Sequence, residues 1–68
     1  MIKLLEVVVL LVDLPERGLK AGDSGTVVHI FSQPNVAYEV EFVRDDDEPL
    51  ELALLPEQIR PADPDELS

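Results

Sequence analysis

The ten residues Leu19-Lys20-Ala21-Gly22-Asp23-Ser24-Gly25-Thr26-Val27-Val28 constrain this chain most, because a turn with two glycines runs directly into a β-branched segment. Gly22 permits positive φ at the end of a loop, and Asp23 is able to bond its own backbone two residues on, which predicts a tight turn. Gly25 has no side chain just where a strand begins, so another segment is expected to approach it closely. Thr26, Val27 and Val28 favour the extended backbone that follows.

The segments on either side continue the strand reading. Val7 to Val12 is β-branched at four of six positions, is too short for a typical helix, and ends at Asp13-Leu14-Pro15. Pro15 to Asp23 carries the turn formers and charges of a long loop. A second strand is predicted from Gly25 or Thr26 to Phe31, then a turn at Ser32-Gln33-Pro34-Asn35. Strand three alternates: Tyr38, Val40 and Phe42 point one way, and Ala37, Glu39, Glu41 and Val43 the other. After an acidic tip, Asp45-Asp46-Asp47-Glu48-Pro49, strand four places Leu50, Leu52 and Leu54 inward with Glu51 and Ala53 outward. Pro56 suits the first position of a single helical turn, and Ile59 and Arg60 mark a short closing strand.

Five short strands with a 3-10 turn before the last predict an all-β chain, a small five-stranded SH3-like barrel over residues 1–61. Residues 62–68 are acidic and proline-containing, and are expected to form a disordered C-terminal tail. A 68-residue chain makes one domain and buries about 60% of the surface its unfolded form exposes. It has no cysteine, hence no disulfide and no thiolate metal site, which fits a reducing cytoplasm. The N-terminal apolar run is interrupted by Glu6 and followed by Asp13 and Pro15, unlike a signal peptide, and nothing approaches the ~20 apolar residues of a membrane span.

Val7-Val8-Val9-Leu10, Asp13-Leu14-Pro15, Gly22 to Val28, Tyr38-Glu39-Val40-Glu41-Phe42 and Leu54-Leu55-Pro56-Glu57-Gln58-Ile59-Arg60-Pro61 together resemble a small bacterial family, the uncharacterised domain of unknown function 4926. The resemblance covers nearly the whole chain apart from the tail. It implies a bacterial stand-alone protein and carries no activity with it. The segment Gly22 to Val28 alone also resembles the opening of KOW-type barrels in ribosomal and transcription proteins.

Fifteen acidic residues against five basic ones give a net charge of −10. Nucleic acid is a poor partner for such a chain, because binding it rests on neutralising phosphates with Lys and Arg, and an anionic membrane repels it. A basic protein is attracted, with salt-sensitive approach. Catalysis has no foothold: His29 is the only histidine, reads as an ordinary surface or rim side chain, and has no nucleophile beside it. The tip Asp45 to Glu48 lacks the spacing of a calcium loop. No cofactor or metal is expected.

The functional reading is therefore a non-catalytic protein-interaction module, an accessory, inhibitory or immunity-type subunit. It would bind an unidentified basic partner through Glu39, Glu41, Asp45, Asp46, Asp47 and Glu51. A KOW-like domain using Arg17, Lys20, Arg44 and Arg60 is one alternative. A homo-oligomer is another, if the outward apolar residues Val27, Phe31, Ala37, Val43 and Ala53 form one patch. Barrel curvature leaves a second reading of Val27 and Phe31, as secondary core.

Overall fold

The computed structural model describes residues 2–43 and 48–67. Its strands are β1 (Val7–Leu10), β2 (Ser24–Phe31), β3 (Ala37–Val43), β4 (Pro49–Leu54) and β5 (Ile59–Pro61), with 3-10 turns at Pro15–Arg17, Pro56–Gln58 and Pro64–Glu66. All strand pairings are antiparallel, and the order β4-β3-β2-β1-β5 places the first strand between the second and the last. The fold is all-β, with the single 3-10 turn before the closing strand that the sequence predicts.

The first strand stops two residues short of the predicted Val12. Past Leu10 the chain leaves the ladder: the Leu11 N–H donates to the Gln58 carbonyl at 2.8 Å and the Leu11 side chain is exposed. The long loop that follows is internally bonded. The Leu14 and Leu19 backbones bond each other reciprocally at 2.9 and 3.1 Å, which folds Leu19 inward to 5% exposure. Asp13 Oδ1 accepts from the Ala21 N–H at 2.9 Å, and Asp23 Oδ2 accepts from the Lys20 N–H at 3.0 Å. The Asp23 carboxylate thus closes the turn toward the residues before it.

Val8, Leu10, Leu19, Val27, Tyr38, Val40, Phe42, Leu54 and Ile59 form the core, with Ile30, Leu50 and Leu52 packed against it. The alternation of β3 and β4 holds along both strands, because each has one face on this core and one in water. Each large aliphatic or aromatic side chain so buried contributes about 1.5–3 kcal/mol. Gly25 lies in β2 against β3, where an added Cβ would stand 2.7 Å from Val40 Cγ1 and 2.8 Å from the Glu41 carbonyl oxygen. That is the close approach expected of it.

Strand two departs from simple alternation. Val27 pairs with Val40 and His29 with Glu39, so Val28 is an extra residue, a β-bulge. Before the bulge Val27 faces the core and is fully buried; after it Ile30 faces inward and His29 and Phe31 face out. Val27 therefore belongs to the core and not to an outward apolar patch, while Phe31 is 37% exposed.

Past β5 the chain forms the 3-10 turn Pro64–Glu66. The Asp63 N–H donates to Glu66 Oε1 at 2.7 Å, and Arg60 forks onto both Glu66 oxygens at 2.9 Å, holding the 3-10 turn Pro64–Glu66 against β5.

Candidate interaction face

The register decides what the outer face of the sheet presents. Glu41 pairs with Thr26 on one side and directly with Glu51 on the other; Glu39 pairs with His29 and with Ala53. Alternate residues of β3 and β4 share a face, so Glu39, Glu41 and Glu51 form one outward cluster. Like charges directly opposite each other on a sheet are destabilising, and Glu41 against Glu51 is such a pair.

The electrostatics follow from that geometry. The Glu51 carboxyl is raised above the ordinary glutamate value of 4.5, first by a hydrogen bond shared with Glu39, then by loss of water and by the negative charges of Glu39 and Glu41. Among the described residues no lysine or arginine pairs with any of the three. Arg60, the cation best placed in an ion pair, is committed to Glu66 and Asp63. Its fork and the Asp63 N–H hold the Glu66 carboxyl down to about 2.

Of the six acidic residues singled out in the sequence, the structure brings together Glu39, Glu41 and Glu51; Asp45, Asp46 and Asp47 lie outside the described residues, as does Arg44. The apolar residues read as outward do not make one patch. Phe31 opposes Ala37 at one end of the face, Val43 stands at the other end of β3, and Glu39 and Glu41 lie between them. His29 is exposed and packs edge-on against the Phe31 ring at 4.6 Å. Among the described residues no group of three His, Cys, Asp or Glu side chains is placed to hold a metal ion, and no helix is long and apolar enough to cross a membrane.

Three features were not evident from the sequence: the buried Leu19, the bulge at Val28, and the Arg60–Glu66 fork. Leu14 and Leu19, two aliphatic residues spanning a Pro-Glu-Arg-Gly turn, were the available signal for the first. The other two depend on partners that alternation does not reveal.

An antiparallel five-stranded sheet with a 3-10 turn before its closing strand, and a carboxylate cluster on its outer face, defines a small all-β domain. Residues 4–61 match the family described as Domain of unknown function (DUF4926), and the chain belongs to that family. No curated protein and no solved structure matches it.

Proposed function

We propose that this chain is a non-catalytic interaction module that docks a basic protein partner through the outer face of β3 and β4. One observation carries this reading: Glu41 directly opposite Glu51, with Glu39 beside them and no cation of the described residues paired to the cluster. A sheet that retains this repulsion breaks a local rule of strand pairing, and such breaches are expected at functional sites. A partner's lysine or arginine side chains would relieve it on binding. Asp45, Asp46 and Asp47 add negative charge in the sequence between β3 and β4.

The cysteine-free composition supports a reducing, cytoplasmic setting, and the family resemblance a bacterial one. The role is that of an accessory, inhibitory or immunity-type subunit. Nucleic acid is disfavoured because one of the five basic side chains, Arg60, is occupied by Glu66.

The test compares the natural chain with the triple variant Glu39→Gln, Glu41→Gln, Glu51→Gln as bait in lysate of the source cells, at low and high salt. A basic protein held in stoichiometric amount by the natural chain, released by salt and lost with the triple variant is the expected result. Equal retention by a folded triple variant refutes the electrostatic docking.

A further inference from the structure

The ladder between β2 and β3 ends at Thr26 opposite Glu41. There the outer face dips into a shallow depression of about 310 Å³ lined by Val7, Ser24, Gly25, Thr26, Glu41 and Val43. Val7 reaches it from β1, where it pairs with Thr26, so Val7, Thr26, Glu41 and Glu51 lie in one row across four strands. The lining is of two kinds. Val7 and Val43 supply hydrocarbon, and Val43 is 78% exposed; Ser24, Thr26 and Glu41 supply two hydroxyls and a carboxylate. No hydrogen bond or ion pair to another described residue engages the Glu41 carboxylate.

Each ligand class meets this lining differently. An anion meets the Glu41 charge at the wall. An apolar side chain desolvates the carboxylate and hydroxyls with no partner for them, which is costly. A side chain with a hydrocarbon stem and a cationic head satisfies both halves of the lining. Acceptors distributed over three residues favour a planar guanidinium, with five donors in a fixed fork, over the compact ammonium of lysine.

Building on the acidic-face reading, we propose that this depression is an arginine subsite: a partner's arginine lays its stem between Val7 and Val43 and directs its guanidinium to Glu41, with Thr26 or Ser24 accepting a further N–H. The occupant is a protein side chain, and the subsite gives the acidic face a register for its partner that diffuse charge alone does not provide.

The experiment is a titration of the ¹⁵N-labelled full chain at low salt with three capped tripeptides, Gly-Arg-Gly, Gly-Lys-Gly and Gly-citrulline-Gly, followed by amide chemical shifts. Citrulline keeps the shape of arginine and removes its charge. Saturable shifts centred on Val7, Gly25, Thr26 and Glu41 with the arginine peptide, weaker with lysine and absent with citrulline, are expected. Glu41→Gln should weaken the arginine response about fivefold, the scale of one partly exposed charged contact, and Glu39→Gln less. Preserved dispersion of the amide spectrum shows that each variant is folded. Shifts centred on Glu39 and Glu51, or equal effects of Glu41→Gln and Glu39→Gln, overturn the subsite and leave the acidic-face reading standing. Equal response to citrulline, or no saturable shift with any of the three peptides, overturns the subsite as well. Equal retention of the lysate partner by the folded triple variant is the separate result that overturns the reading beneath it.

Discussion

Replacing Gly25 by alanine places one methyl group where β2 crosses closest to β3. The new Cβ would lie 2.7 Å from Val40 Cγ1, 2.8 Å from the Glu41 carbonyl oxygen and 3.0 Å from Phe42 Cδ1. None of these yields easily: Val40 is fully buried, Phe42 is 2% exposed, and the carbonyl belongs to the backbone of the neighbouring strand. Overpacking of this kind costs about 1–3 kcal/mol. Against it stands the gain from restricting a glycine in the unfolded chain, about 0.4–1 kcal/mol where the native backbone accepts alanine. The steric cost prevails, and a net loss of about 2 kcal/mol is expected, a large share of the ~3–10 kcal/mol that a domain of this length commands. At about 4–8 °C per kcal/mol, Tm should fall by about 8–16 °C in thermal circular dichroism at pH 7. Gly22 is the control: its φ of +101° strains any other residue, yet nothing lies within 4 Å of its added Cβ. Alanine and serine should therefore cost the same at Gly22, by about 1–3 kcal/mol of backbone strain, whereas serine should cost more than alanine at Gly25. An unchanged or raised Tm for Gly25→Ala would refute the close-packing argument.

Leu5 adopts φ +68° with its side chain 69% exposed, so Leu5→Asn should raise stability by up to about 1 kcal/mol, read from urea unfolding midpoints. Leu19→Ala should cost about 2–5 kcal/mol despite its place in a loop, while Leu11→Ala, nearly half exposed, should cost far less in the same assay. Acid titration should separate two glutamates by carboxyl NMR. Glu66, held down to about 2 by the Arg60 fork, gives a stabilisation present above pH 4.5 and lost as pH falls toward 2; Glu66→Gln should abolish that dependence. Glu51 is raised, so its contribution runs oppositely, present below pH 4.5 and lost as pH rises through its folded value. Glu51→Gln should therefore raise Tm at pH 7 more than at pH 4, and a larger gain at pH 4 would count against the shared-proton arrangement.

Where residue type and order suffice, the sequence determined the structure. The alternation of Tyr38, Val40 and Phe42 with Glu39 and Glu41, and of Leu50, Leu52 and Leu54 with Glu51 and Ala53, set which face each strand buries, because period two is a property of the extended backbone itself. The same counting put Glu39, Glu41 and Glu51 on one side before any partner strand was known, and Gly25 announced a crossing by its missing side chain. Strand two shows where counting ends. Val27, His29 and Phe31 read as one face, yet one extra residue at Val28 against β3 turns Val27 into the core and leaves His29 and Phe31 in water. A bulge is a relation between two strands and leaves no mark in one. Leu19 entered the core through its backbone bonds to Leu14, and Arg60 found Glu66 six residues on, where alternation is silent. Likewise only the register set Glu41 against Glu51 and Val7 beside Thr26, assembling the depression from three strands. Local conformational preference is written residue by residue, whereas register, bulges and the neighbours of a surface carboxylate are fixed by which strands the core brings together.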